Sequence, residues 1–341
     1  MQKHILVLFT GGTIGCEKED EKIALGPKSP TRLFDYYKEY GKNEVCFSSR
    51  TPFTMLSENN DGEALTKICS AVQEALREDV DGVIVTHGSD TLQYTGAALS
   101  LALGALKKSV VLVASNYVLS DERANGYDNF VAAVETICMD LQQDVYISYR
   151  NQDGIARIYK ANRVLPHEYN SDELHCIGSP ALFFEHGKCI RTIPELTNKT
   201  QRTGSGLPLP LTKQSPVLYL KVYPGVQFFG VPDDSKVVLL ETYHSGTLPD
   251  DGAMRKWLKM LEEQNIPVFI CGTGNRDYYA SVLGWKDQIH VLPEISPVVA
   301  YIKLWMLCEL CKDGAGKMDV SRLVQEMFTN ISGEYIEYDV L

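Results

Sequence analysis

The apolar run Ile5-Leu6-Val7-Leu8-Phe9 passes without a polar interruption into Thr10-Gly11-Gly12-Thr13-Ile14-Gly15. A continuous run of that length, rich in strand formers, reads as a β-strand buried on both faces, as in a parallel sheet. The two glycines let the backbone reverse sharply and come close to a ligand. In open α/β sheets ligands sit beyond the carboxyl ends of the strands, which is where this turn delivers Thr13. A single glycine-rich turn is equally compatible with a plain strand-to-helix connection or a phosphate cradle. The rest of the chain decides between them.

Downstream the pattern recurs. Asp81-Gly82-Val83-Ile84-Val85 is a second buried strand, ending in Thr86-His87-Gly88-Ser89-Asp90-Thr91. A third, Val110-Val111-Leu112-Val113, ends in Ala114-Ser115-Asn116-Tyr117. Helices intervene: one at 31–40, one on Leu65, Ile68, Cys69, Val72 and Leu76, one from Leu92, and one at 128–141 after the Asn125-Gly126 break. A short strand is expected at 44–50. The polar cluster Ser57-Glu58-Asn59-Asn60-Asp61 caps the second helix, and such an N-terminus also offers N–H groups to a carboxylate. Strands alternating with helices in this way form a doubly wound parallel sheet. Right-handed crossovers keep the strand ends on one rim, so Thr13, Ser89, Asp90 and Asn116 are expected to meet there. The charged run from Glu17 to Lys22 reads as a mobile loop able to close over a ligand, or as an exposed hairpin.

Further on, segments 145–149 and 155–159 flank Asp153-Gly154 as a hairpin, while residues 160–193 show no clear period. Residues 195–215 are rich in Thr, Pro, Gly, Lys and Gln and mark a linker. The expected division is a domain at 1–194, the linker 195–215, and a second α/β domain at 216–341. In that second domain strands are expected at 217–222, 237–241 and 268–270, with helices at 251–264, 298–311 and 319–329. Gly272 to Asn275 is a strand-to-helix turn or an anion cradle. Gly314-Ala315-Gly316-Lys317 lacks the earlier glycine of a phosphate loop.

Composition narrows the function classes. The net charge of −11 argues against nucleic-acid partners and anionic membrane surfaces, and no apolar stretch reaches membrane-spanning length. The nine cysteines are odd in number and scattered, unlike a secreted disulfide framework. Cys308 and Cys311 sit in an apolar helical stretch and read as core. A reducing, cytoplasmic location is expected.

A hydroxyl on a glycine turn becomes a nucleophile when one group takes its proton and others hold the oxyanion. Thr13 and Ser89 supply hydroxyls, Asp90 a carboxylate, and the peptides around Gly12 and Gly88 the oxyanion contacts. This constellation points to acyl transfer or hydrolysis and asks for neither metal nor organic cofactor. His87 is a tempting base, but at the end of a strand it reads as structural.

Together the two motifs closely resemble the signatures of bacterial-type L-asparaginases, Thr-Gly-Gly-Thr-Ile-x and His-Gly-Thr-Asp-Thr. Leu56-Ser57-Glu58-Asn59, the run 125–130 and Tyr243-His244-Ser245-Gly246-Thr247 fit as well. The resemblance implies a flavodoxin-like N-terminal domain, a smaller α/β C-terminal domain, and a homo-oligomer, dimer or tetramer, with its site near a subunit contact. It also implies hydrolysis of asparagine, and sometimes glutamine, to the acid and ammonia. Under it Thr13 is the nucleophile, and Ser89 stands for a second catalytic threonine. Asp90 grips the α-amino group, and Ser57 and Glu58 hold the amino-acid end, with Gly12, Gly88 and Asn116 at the substrate.

Two departures qualify the match. The family places a tyrosine about ten residues after its first threonine; here that region holds Ile23 and no tyrosine lies between residues 14 and 30. The family also pairs its motif aspartate with a lysine shortly after an Asn-Arg pair, whereas Asn162-Arg163 is followed by Val164-Leu165-Pro166. Lys160 and Arg163 are the substitutes at hand. Loss of a proton-transfer partner lowers rates by about 10²–10⁴-fold. The alternatives are therefore hydrolysis of another amide, glutamine or a larger molecule, and a catalytically weak amino-acid sensor. A tRNA-dependent amidotransferase component fits less well, because this acidic chain has no RNA-binding extension.

Overall fold

The structure, a computed structural model, describes residues 2–19, 22–25, 29–139, 142–192, 206–273, 288–314 and 316–336. Its opening strand, β1 (Lys3–Phe9), is buried on both faces, with Ile5, Val7 and Phe9 in one core and Leu6 and Leu8 in another. Residues after the Gly-Gly turn form an antiparallel hairpin, β2 (Cys16–Glu19) and β3 (Lys22–Leu25). The expected mobile loop is thus replaced by its alternative, because backbone pairing in this charged stretch leaves no apolar signature.

Helix α1 (Ser29–Tyr40) then leads to β4 (Val45–Arg50), and α2 (Gly62–Ala75) to β5 (Gly82–Thr86). Helix α3 (Leu92–Ala102) connects to β6 (Ser109–Val113), and α4 (Gly126–Cys138) to β7 (Val145–Arg150). These five strands run parallel in the order β4-β1-β5-β6-β7. That is the flavodoxin-like order, in which the chain crosses from one side of β1 to the other and opens a crevice between β1 and β5.

The sheet continues antiparallel through β8 (Ala156–Lys160), β9 (Leu182–Glu185) and β10 (Lys188–Thr192). The last two strands fall in the stretch that shows no period in the sequence. They turn through His186 and Gly187, both at positive φ, rather than through an Asn-Gly pair.

A second, wholly parallel sheet has the order β11 (Val217–Lys221), β12 (Val237–Glu241), β13 (Val268–Cys271) and β14 (His290–Val291). Helix α5 (Gly252–Glu263) covers one face with Trp257, Leu258 and Leu261. Helix α6 (Pro297–Leu310), apolar on every side, is buried between α3 and the strands β11 and β12. Helix α7 (Val320–Met327) closes the described fold. The architecture is therefore α/β with a larger doubly wound sheet and a smaller parallel one.

The first part of the expected linker, 195–205, lies outside the described residues. The remainder packs on the larger sheet's helices: Leu207 N–H donates to the Leu101 carbonyl (2.7 Å), and Leu211 N–H to Thr66 Oγ1 (3.0 Å).

Candidate active site

The registers bring the strand tips together before any side chain is considered. Phe9 lies opposite Thr86, and Thr86 opposite Val113, so the segments beginning at Thr10, His87 and Ala114 leave the sheet on one rim. Thr10 Oγ1 donates to the Thr86 carbonyl across those tips (2.6 Å). Met55 N–H donates to the Thr10 carbonyl (3.0 Å), which draws in the segment before α2.

The crevice between β1 and β5 is closed by glycine. Gly11 and Gly12 have φ of 121° and 84°, conformations that side chains disfavour. A β-carbon on Gly12 would sit 2.3 Å from the His87 carbonyl oxygen and 2.5 Å from the Gly88 nitrogen. The two motifs are therefore in backbone contact, and any residue larger than glycine forces them apart. Thr13 opens the single 3-10 turn Thr13–Gly15, held by Gly15 N–H on the Gly12 carbonyl (2.9 Å) and anchored by fully buried Ile14. Thr13 and Ser89 are half-buried and Asp90 is exposed, so solutes reach all three.

Ser57 and Asp90, on separate segments, meet directly. Ser57 opens the 3-10 turn Ser57–Asn59 and is buried, and its hydroxyl donates to Asp90 Oδ2 (3.0 Å). It fits there because Gly88 has no side chain: a β-carbon would lie 2.3 Å from Ser57 Oγ. Glu58, next in the turn, is exposed.

A supporting network carries almost no mark in the sequence. Thr91 Oγ1 donates to the Ser57 carbonyl (2.9 Å), and Asn60 Nδ2 donates to Thr91 Oγ1 (3.1 Å) and Thr95 Oγ1 (3.0 Å). The four-residue spacing of Thr91 and Thr95 at the start of α3 is the only sequence signal for it.

His87 is a strut. Its Nδ1 faces the Gly88 carbonyl (2.8 Å) and so carries the proton, while Nε2 accepts from Thr95 Oγ1 (2.9 Å). Burial drops its pKa to about 4, against the opposing pull of the Gly88 carbonyl and Asp90. Both nitrogens are occupied and the ring is neutral.

Asn116 lies on the same rim with its amide engaged. Its Oδ1 accepts from Tyr117 N–H and Asn125 N–H (both 3.0 Å), and its Nδ2 faces Asp172 Oδ2 at 3.4 Å. It braces the loop after β6.

Neither expected substitute for the missing lysine faces Asp90. Strand β8 is antiparallel, so Lys160 pairs with Tyr146 near the amino end of β7, on the rim opposite the motifs. There its Nζ lies 3.5 Å from the buried Asp144 carboxylate. Arg163 faces the Cys176–Gly178 segment; its charge offsets part of the rise to about 11 that burial imposes on the Cys176 thiol.

At the carboxyl ends of β11, β12 and β13 lies a cavity of about 1180 Å³ whose lining includes His167, Lys221, Glu241, Tyr243, His244 and Glu294. The 243–247 segment forms a turn at the tip of β12, with Gly246 N–H on the Tyr243 carbonyl (2.8 Å). Gly272 and Thr273 line the same cavity, while Gly274 and Asn275 lie outside the described residues. Among the described residues, no group of three or more His, Cys, Asp or Glu is placed to hold a metal ion. No helix among them is long and apolar enough to cross a membrane.

Comparison with known proteins gives this geometry a context. A family profile described as "Asparaginase, N-terminal" matches residues 4–183. L-asparaginase 1 of Escherichia coli is 26% identical over 312 residues, covering 84% of this chain and 88% of that protein. A glutamyl-tRNA(Gln) amidotransferase subunit of Metallosphaera sedula is 26% identical over 347 residues, covering 97% of this chain and 76% of that one. In structure, L-asparaginase I from Vibrio cholerae superposes with a TM-score of 0.78 at 21% identity, covering 99% of this chain and all of the other. The fold is shared at that distance.

Proposed function

Because the chain belongs to the asparaginase family, we propose that it is an amidohydrolase converting L-asparagine to L-aspartate and ammonia, with Thr13 as nucleophile. The observation that carries this reading is the backbone contact between the Gly12 and Gly88 turns at the crevice of the sheet. It presents two accessible hydroxyls, an Asp90 carboxylate held by Ser57, and several peptide N–H groups within one small site.

The chemistry balances with these groups alone. Thr13 Oγ bonds to the side-chain amide carbon and gives up its proton. The C–N bond breaks and the nitrogen leaves as ammonia with that proton. Water then attacks the acyl ester, aspartate departs, and a proton returns to Thr13. Peptide N–H groups at the two glycine turns stabilise the oxyanion in each half-reaction. Asp90 receives the α-ammonium group, Ser57 and Glu58 hold the amino-acid end, and Ser89 positions the attacking water.

Several finer points belong to the same proposal. The nine unpaired cysteines suit a reducing cytoplasm, and self-association as a dimer or tetramer is expected from the family. A second reading, hydrolysis of an amide in a larger molecule, is favoured by the equal 26% identity to an asparaginase and to a tRNA amidotransferase component.

The test is ammonia release from free asparagine and glutamine. Wild type is expected to release ammonia from asparagine, and Thr13→Ala to lose about 10³-fold or more in kcat. Equal rates in the two proteins overturn the assignment of Thr13. No release from either amino acid moves the reading to the larger amide or to a sensor.

A further inference from the structure

The supporting network behind the motifs converges on Asn60, and its hydrogen bonds have one consistent direction. Asn60 ends the Ser57 turn, with its own N–H donating to the Ser57 carbonyl (3.1 Å). Thr91 Oγ1 also donates to that carbonyl, so its single hydrogen is committed. On the other branch the Gly88 carbonyl can only accept, which places the His87 proton on Nδ1. Burial keeps the ring neutral at pH 7, with its pKa lowered to about 4. Nε2 is therefore a lone pair, and the hydrogen of Thr95 Oγ1 is committed to it. Both hydroxyls can only accept from Asn60, which must present its two Nδ2 hydrogens to them (3.1 and 3.0 Å). Its Oδ1 is left buried with no partner among the described residues. That state is unfavourable, and it persists because neither hydroxyl has a hydrogen to give.

We propose that Asn60 is a positioning residue that ties the two halves of the site together by setting the direction of both threonine hydroxyls. The inference rests on the amidohydrolase reading. One branch, through Thr91, fixes the Ser57 turn, whose hydroxyl donates to Asp90 Oδ2 (3.0 Å). The other runs through Thr95 and the fully buried His87 ring to the Gly88 carbonyl (2.8 Å). That carbonyl shares a trans peptide with the Ser89 N–H, and in a trans peptide the two point opposite ways. Holding the carbonyl against the ring leaves the N–H facing away from it. Among the described residues the Ser89 N–H donates to nothing, so it is free for an oxyanion. The substrate's amino-acid end and its reacting end are thus gripped by groups that share one amide.

Reversing that amide has a definite consequence. An acceptor at position 60 draws the Thr95 hydrogen toward itself. His87 Nε2 then faces a bare oxygen and is satisfied only when the ring proton moves to Nε2. Nδ1 becomes a lone pair against the Gly88 carbonyl, two acceptors repel, and the peptide carrying the Ser89 N–H turns. The Thr91 branch suffers less, because the Ser57 carbonyl keeps the residue 60 N–H.

The test sets an isosteric variant against a truncation. Ionised Asn60→Asp keeps the shape and can only accept, whereas Asn60→Ala leaves both hydroxyls donating as before. We expect kcat/KM for asparagine to fall about 10²-fold in Asn60→Asp and less than about tenfold in Asn60→Ala. A residue that merely fills space gives the opposite order, and that order, or wild-type kinetics in both variants, overturns the proposal. The branches separate in the same assay. Thr95→Val is expected to lower kcat and Thr91→Val to raise KM, each about tenfold; identical effects of the two overturn the division of roles. Nitrogen NMR of the His87 ring in wild type does not depend on any variant folding. The Nδ1–H tautomer with a hydrogen-bonded Nε2 lone pair is expected at neutral pH, and the opposite tautomer overturns the direction of the network. In Asn60→Asp the proton is expected on Nε2, and a ring that keeps the wild-type tautomer contradicts the mechanism. Wild type that releases no ammonia overturns the amidohydrolase reading and this inference with it. Active wild type matched in rate by Asn60→Asp overturns this inference alone.

Discussion

At the scale of single residues, the site is built by atoms that are absent as much as by those present. Gly12 and Gly88 let two strand tips and the Ser57 turn share one small volume. Ser57→Ala removes the donor to Asp90 and leaves the backbone contacts intact. We expect KM for asparagine to rise about tenfold, or about 1.4 kcal/mol, with kcat less affected; steady-state kinetics checks this, and an unchanged KM contradicts it. His87 gives a pH prediction whose sign follows from its depressed pKa. Folded at about 4 and unfolded near its usual 6.5, it favours the unfolded chain below pH 6.5, so stability falls as pH drops toward 4. The loss reaches about 3 kcal/mol, and about 2 kcal/mol between pH 7 and 5. His87→Gln should show a correspondingly smaller change in urea-unfolding free energy over that interval. The motif residues were legible in the sequence because glycine, hydroxyl and carboxylate recur after buried strands. The Asn60–Thr91–Thr95 network behind them was not, since a four-residue spacing at a helix start is its only mark.

At the scale of elements, local signals and tertiary context divide the credit. The N-terminus of α2 was legible as a polar cluster, and Asp61 is its cap, with Oδ1 accepting Ala64 N–H at 2.9 Å. Asp61→Ala should lower stability by about 1 kcal/mol, read from the midpoint of chemical denaturation. The buried strands β1, β5, β6 and β12 announced themselves as apolar runs, and the β7–β8 hairpin by Asp153-Gly154. Strands β9 and β10 did not, because their pairing extends an existing edge through a His-Gly turn. Strand β14 is two residues long and exists through its neighbour β13. The hairpin β2–β3 is drawn in charged residues, for which composition predicts solvent exposure and says nothing of backbone pairing.

At the scale of the whole molecule, the two sheets share a helix. The α6 helix carries Ile302, Leu304, Met306 and Leu307 into the core that also holds Leu6, Val83 and Leu239. Within it Lys303 is fully buried, donating to the Met327 carbonyl (2.9 Å), the Thr329 carbonyl (2.5 Å) and Glu334 (2.7 Å). Burial opposes both charges, yet Lys303 and the Ser332 N–H hold the Glu334 carboxyl below its usual range. This pin fastens the chain's last described segment to the shared helix. Lys303→Met strands Glu334 without its cation and should lower stability by about 3–5 kcal/mol, while adding Glu334→Leu should recover much of the loss. A double variant no more stable than the single one, in equilibrium unfolding, contradicts that account. Such a pair was invisible in sequence, where Lys303 reads as an interruption of an apolar helix.

The proposed role of Thr13, a nucleophile toward an amide presented by the paired glycine turns, is tested most directly by trapping the acyl-enzyme. Protein and asparagine are mixed, quenched rapidly in acid and digested, and the peptides are weighed. An acyl ester is expected on the peptide containing residues 10–15, absent from Thr13→Ala. An ester on the Ser89 peptide instead, or full turnover in the Thr13→Ala protein, would contradict the assignment.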